Sequence, residues 1–373
     1  MADCIKCVQI LSMRQSSRLW PNHRQKHIYL RHRNKNVVKK LLNALKYLLF
    51  LAIGLLVFYY IYREIELKTL AEHISNIRWG WIVLSLTIGL LCHICRALRW
   101  DMLIQSAGYT AGRFRTFWAV MAMYFTNLII PRGGEIVRCT TLARTDGVPF
   151  AVLLGTVVVE RTVDMILMIV IAAVMVLFQL DFLKTFFEAP GHETMLDKIA
   201  FLFSPWFWIA GIIIGIGAIV LLWKFRHRIA QIKLFQPIIG LIMKFWDGLK
   251  SIAKLEHPWI FVGQSLFIYL AYFLMLYVTF FCFEPTTGLS LGAALTAFIM
   301  GGLAMLAPVQ GGIGPWHFMV FETLALYGVP VTDGKIFALI SHSTTNGFCL
   351  IVGAIGLIYL TLVGKKKTSP SAE

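Results

Sequence analysis

Three short stretches of this chain carry residues that could bind an anion where apolar sequence would otherwise continue. The first is NLIIPRGGEIVR, residues 127–138, which sets Arg132, Glu135 and Arg138 around a break made by Pro131, Gly133 and Gly134. Proline withholds a backbone donor and glycine permits unusual dihedrals, so the break frees backbone groups. A helix restarting after Gly134 presents N-terminal amides that carry partial positive charge and attract anions. Arg132 and Arg138 add full charges, and an arginine can hold a phosphate through two hydrogen bonds. Glu135 stands three residues before Arg138, a spacing at which the two can pair on a helix. It is also a candidate proton carrier. Asn127, one turn before the proline, can cap or reach the same cavity.

The second stretch is VVVERTVDMIL, residues 157–167. Glu160 and Asp164 are four apart and share a helix face, and Arg161 is placed to pair with Asp164. A charge inside a bilayer costs about 2.5–3.5 kcal/mol on insertion scales and is functional by default. The alternative is a salt-bridged group at the cytoplasmic edge. The third stretch, APVQGGIGPWH at 307–317, has no Arg or Glu and offers Pro308, Gln310, Gly311, Gly312, Gly314 and His317. A cavity built from the first and third stretches is charged on one side and neutral on the other, which suits an amphipathic substrate better than a small ion. Arg96 and Arg99, just before Trp100, read as interfacial anchors able to snorkel, with a substrate contact as the alternative. His342 and Glu322 stay open.

The elements that position these residues are membrane helices. Of 373 residues, 58% are hydrophobic and only 14% charged, against about 25% charged in soluble proteins. Apolar runs long enough to span, roughly 20 residues, lie at about 41–62, 79–95, 163–180, 206–223, 259–283 and 336–363. The net charge of +16 is unevenly placed: residues 1–46 hold eleven Lys and Arg and one acid, and 224–258 hold seven basic residues against two acidic. Basic and non-basic loops alternate in register with six crossings, which puts both termini in the cytoplasm. Orientation and anionic lipid account for the basic excess, and nucleic acid is an unnecessary partner. Residues 1–40 read as a basic, disordered cytoplasmic N-terminus, 41–363 as the membrane domain and 364–373 as a cytoplasmic tail. Cys4 and Cys7 form a lone CxxC with no second pair, and Cys92, His93 and Cys95 read as membrane packing rather than a metal site.

Two halves of the membrane domain, about 79–180 and 257–363, resemble each other. Trp81 aligns with Trp259 and Gly133 with Gly311, each 178 residues later, and Pro131 aligns with Pro308 at 177. The charge pattern threads the two halves oppositely, which makes an inverted repeat. The segments 114–145 and 291–330 then become re-entrant broken-helix hairpins, since 132–146 is too polar to cross lipid alone. Their tips are expected to approach each other near the midplane. The fold class is an all-α polytopic membrane protein with about six transmembrane helices and two re-entrant hairpins. No HExxH, P-loop or GxSxG signature appears.

The ordered set RALRW, NLIIPRGGEIVR, ERTVD and APVQGGIGPWH resembles the lysylphosphatidylglycerol synthase transmembrane region family, over roughly residues 40–363. The resemblance implies a flippase-like domain that moves a lipid or lipid-linked precursor between leaflets. By matching motif it marks Asn127, Pro131, Arg132, Gly133, Gly134, Glu135 and Arg138, then Glu160, Arg161 and Asp164, then Pro308, Gly311, Gly312 and Gly314. Many members place an acidic residue soon after the last glycine, whereas this chain has Pro315, Trp316 and His317. The family's synthase activity belongs to a soluble domain that is not expected here, so no lysyl transfer is expected.

The expected substrate is an anionic lipid or a polyprenyl-phosphate-linked molecule, handled in the cell inner membrane without a cofactor. One rival is an intramembrane enzyme acting on a lipid headgroup, with Glu135 and Asp164 as acid and base. Another is a non-transporting partner of a glycosyltransferase or lipid synthase. Homo-oligomerisation is left open.

Overall fold

The computed structural model describes residue 49 and residues 51–131, 133–178, 255–307 and 309–368. The chain divides into two units, Met1–Ala52 and Ile53–Glu373, and the second carries the site described below. Among the described residues all regular structure is helical.

A short apolar helix, α1 (Leu51–Tyr62), and an amphipathic one, α2 (Leu67–Ser75), precede two sets of four helices. The first set is α3 (Trp79–Ser106), α4 (Arg113–Ile129), α5 (Gly134–Asp146) and α6 (Phe150–Phe178). The second is α7 (Pro258–Phe280), α8 (Leu291–Ala304), α9 (Pro315–Leu326) and α10 (Val331–Thr368). Each set runs long, short, short, long, with 28, 17, 13 and 29 residues in the first and 23, 14, 12 and 38 in the second. The two short helices of each set pack on each other, so each break is the bend of a hairpin. Across the sets, α3 packs along α7 and α4 along α10.

Local chemistry sets these boundaries. Ser290 accepts a hydrogen bond from the Ala293 amide and caps α8, and Pro258 and Pro315 occupy the first turns of α7 and α9, where a missing N–H costs nothing. The chain is an all-α membrane protein. α3, α7 and residues Val331–Gly364 of α10 are long and apolar enough to cross a bilayer. Their outer faces carry Trp259, Leu266, Ile351, Ile355 and Leu362, all exposed, as expected of helices that are apolar all round.

Two expected spans change. The run at 79–95 is part of a helix that continues to Ser106, because Arg96, Arg99, Trp100 and Asp101 are buried rather than ending it. The span expected from 163 starts at Phe150, so Glu160, Arg161 and Asp164 lie inside one unbroken helix. The expected span 206–223, most of the N-terminal segment and Cys4 and Cys7 lie outside the described residues.

Candidate functional site

The first break is tight. α4 ends at Ile129 and α5 restarts at Gly134, whose amide donates to Asn127 Oδ1 at 2.8 Å. Asn127 therefore reaches across the bend and satisfies an amide that the new helix leaves unpaired. A side chain at Gly134 would collide with the Met123 carbonyl oxygen, so the two arms touch backbone to backbone there. Gly133 is the residue before the restart. Arg132 and Pro308 lie outside the described residues.

One turn beyond Gly134, Arg138 enters a cluster of buried charge. Glu160 is its centre and is 0% exposed. Arg96 approaches Glu160 at 3.0 Å, Arg99 at 3.4 Å, Arg138 at 2.9 Å and Arg161 at 3.4 Å. Asp164, one turn along α6, takes Arg99 at 2.7 Å, Arg96 at 3.3 Å and Arg161 at 3.5 Å. Four helices thus converge: α3 supplies Arg96 and Arg99, α5 supplies Arg138, and α6 supplies Glu160, Arg161 and Asp164. α7 contributes Ser265, whose hydroxyl accepts from Arg99 at 3.0 Å, and Tyr269, which donates to the Asp164 carbonyl.

The cluster has an inner and an outer end. Arg99 and Arg138 are both 0% exposed, whereas the Arg161 side chain is 41% exposed and Glu135, 3.8 Å away, is 23% exposed. Four guanidinium groups face three carboxylates, Glu135, Glu160 and Asp164, which leaves one formal positive charge in excess. Arg138 is also short of hydrogen bonds. Its guanidinium lies 4.5 Å over the Trp100 ring and close to Glu160 Oε2, yet that ion pair lacks hydrogen-bond geometry and its buried nitrogens have no acceptor. Buried donors without acceptors are costly, and beyond the ion pair with Glu160 the Arg138 nitrogens keep donors that a further acceptor could engage.

The second break is neutral. Gly311, Gly312 and Gly314 have φ of 57°, 73° and 91°, a left-handed region that side chains rarely adopt. The Gly314 amide donates to His317 Nδ1 at 3.3 Å, and Gln310 and His317 are buried. The two breaks meet: a side-chain carbon placed on Gly311 would sit 2.7 Å from Leu128 Cδ2, near the end of α4.

Several expectations need adjusting. Arg96 and Arg99 do not snorkel to an interface; they are 4% and 0% exposed and hold the carboxylates of α6. Glu135 does not pair with Arg138. Arg138 turns inward to Glu160, while Glu135 faces Arg161. Arg161 does pair with Asp164, and Glu160 and Asp164 do share a face. Sequence reasoning missed Tyr124, Ser265, Tyr269 and Tyr272, which sit in apolar helices and look like packing. Ser265, Tyr269 and Tyr272 fall at helical spacing on α7, a polar stripe that was the available signal. Cys92 and Cys95 donate to the Ile268 and Gln264 carbonyls of α7, the packing role expected of them.

The lysylphosphatidylglycerol synthase TM region family matches residues 47–353. A UPF0104 membrane protein of Methanocaldococcus jannaschii is 22% identical over 319 residues, which cover 81% of this chain and 92% of that protein. No solved structure matches.

Proposed function

The chain belongs to the lysylphosphatidylglycerol synthase transmembrane region family, and we propose that it moves an anionic lipid, or a polyprenyl-phosphate-linked molecule, between the leaflets of the inner membrane. The observation that carries this reading is the buried cluster with one cation in excess, open at Arg161 and walled by a broken helix. A headgroup phosphate enters at Arg161 and Glu135, engages the Arg138 donors that Glu160 leaves unbonded, and leaves its acyl or prenyl tail in lipid. The amides at the start of α5 supply further positive potential on the same side. The apolar, neutral second break, with Gln310 and the glycines through Gly314, gives the tail side of the same passage.

In this reading the two sets of helices are threaded oppositely through the bilayer, with both termini in the cytoplasm. The glycine-rich breaks act as hinges for alternating access. Glu135 and Asp164 are engaged by Arg161, which favours electrostatic gating over an acid–base pair. Any glycosyltransferase or lipid synthase would act on the delivered lipid.

The test is a leaflet assay. Purified protein is placed in liposomes containing a trace of head- or tail-labelled phosphatidylglycerol, and a membrane-impermeant quencher reads the leaflet. The expected result is protein-dependent loss of protection, slowed at least ~10-fold in Arg138→Met, the scale of one lost charge-assisted contact. Unchanged leaflet distribution with a changed lipid mass would replace transport by headgroup chemistry. No change in either, with selective capture of a glycosyltransferase, would make the chain a partner protein.

A further inference from the structure

A second set of buried polar groups runs from the second break towards the arginine cluster. His317, on α9 just past the second break, packs edge-on against His342 of α10, with ring centroids 4.4 Å apart. His342 stacks on Trp316 at 4.7 Å and contacts Asn346 Nδ2 at 3.0 Å. Cys349 follows Asn346 by three residues on the same helix and reaches His93 Nε2 of α3 at 3.8 Å. The His93 ring lies 4.5 Å from Tyr124, and the Tyr124 hydroxyl meets that of Tyr272 at 2.6 Å. Tyr272 in turn lies under Arg96, 5.7 Å from ring to guanidinium, and Arg96 holds Glu160.

Two features separate this seam from ordinary packing. His93 and His317 are 3% and 1% exposed, yet His93 Nδ1 and His317 Nε2 have no hydrogen-bond partner. Leaving such an atom unpaired is expensive in a dry interior. The groups facing the three rings are otherwise neutral. Phe58 and Tyr62 of α1 face His317; Trp316, His317 and Asn346 face His342; Tyr124 and Cys349 face His93, with Arg96 the charged neighbour on its own helix. Among the described residues no carboxylate lies within ion-pair distance of any of these rings. With the two rings of His317 and His342 in contact, a second proton would meet the first, so the pair accommodates one proton.

We infer that the seam from His317 and His342 to His93 is a proton-holding site, and that lipid movement is linked to proton movement through it. This rests on the transport reading. A proton taken from water on one face protonates an imidazole nitrogen, is passed along the seam, and leaves to water on the other face, so charge and atoms balance without any further reactant. His317 opens the seam just past the second break, and His342 completes a site that a histidine alone would not make. At the other end, Tyr272 and Arg96 connect the proton to the headgroup site. Proton gain at the seam weakens the hold of Arg96 on the carboxylates by like-charge repulsion.

The experiment uses liposomes that hold the full chain, a trapped pH-sensitive dye and labelled phosphatidylglycerol, with and without an imposed pH gradient. The gradient is expected to change the lipid transfer rate several-fold, with dye-detected proton movement that empty liposomes lack. His342→Gln and His93→Gln are expected to lose both responses while exchange without a gradient persists. Lipid transfer that is indifferent to the gradient would overturn the inference and leave transport standing. Histidine-dependent proton entry without lipid transfer would uphold the seam and overturn the transport reading. Absence of both signals for the wild-type chain would overturn both.

Discussion

The two breaks use the same backbone device for opposite electrostatics. Each interrupts a short helix at glycine and restarts it, and each set of helices has the same succession of lengths. At the first break the restarting helix carries Arg138 into a cluster of four arginines and three carboxylates. At the second it carries Trp316 and His317 into a set of aromatic and imidazole rings. The difference teaches that the fold requires only the bend. What stands one turn past the bend is free to specialise, with charge on one side and neutral titratable groups on the other.

The two bends are also held differently. Gly134 is needed because backbone meets backbone, at the Met123 carbonyl. Gly311, Gly312 and Gly314 are needed because their dihedrals are left-handed. The first bend is closed by an asparagine side chain from the preceding helix, the second by a histidine from the following one. Similar bends are therefore reached through different residues.

The comparison can be broken most severely at Glu160. Glu160→Gln leaves Arg96, Arg99 and Arg138 facing a neutral amide, and removing one partner from a buried pair costs about 3–5 kcal/mol. Loss of monodisperse protein on heating in detergent, roughly 5–20 °C below the wild type, is the expected outcome. The matched change on the neutral side, His317→Gln, keeps a hydrogen-bond acceptor for the Gly314 amide and should cost far less. Equal effects at the two positions would mean the charge cluster is not the stiffer of the two regions.

A smaller effect separates the two glycine mechanisms. Gly134→Ala drives a methyl into backbone, an overpacking that costs about 1–3 kcal/mol. Gly311→Ala requires a left-handed alanine, at about 1–2 kcal/mol, with Leu128 able to shift aside. Thermal unfolding of both variants orders them, and a more harmful Gly311→Ala would reverse the assignment of which bend is sterically closed. Smaller still, Asn127→Ala removes one side-chain acceptor from the Gly134 amide, at about 0.5–2 kcal/mol. Hydrogen exchange at the start of α5 should rise in that variant while exchange at the start of α9 stays unchanged.

Much of this was legible in the sequence because polar residues in an apolar chain announce themselves. NLIIPRGGEIVR and VVVERTVDMIL each supply members of the cluster, and hydropathy located the long helices. The matching glycine breaks pointed to two hairpins, whose tips do meet at Leu128 and Gly311. What was not legible is which way a side chain turns when its partner comes from a distant helix. Arg96 and Arg99 sit where hydropathy falls, so they resemble anchors at an interface. Only the arrival of α6, more than sixty residues later, makes them interior. Glu135 and Arg138 have a pairing spacing, but Glu160 outcompetes Glu135 for the inward-facing arginine. His93 and His342 give no local signal, since each is a single polar residue in an apolar helix.

The claim on which the account depends is that the open end of the arginine cluster receives an anionic headgroup. Native mass spectrometry of the protein released from equal mixtures of phosphatidylglycerol and phosphatidylcholine tests it directly. The account predicts that the wild-type chain retains phosphatidylglycerol in preference to phosphatidylcholine and that Arg161→Gln loses this preference. Equal retention of the two lipids by the wild type, or an unaltered preference in Arg161→Gln, would contradict it.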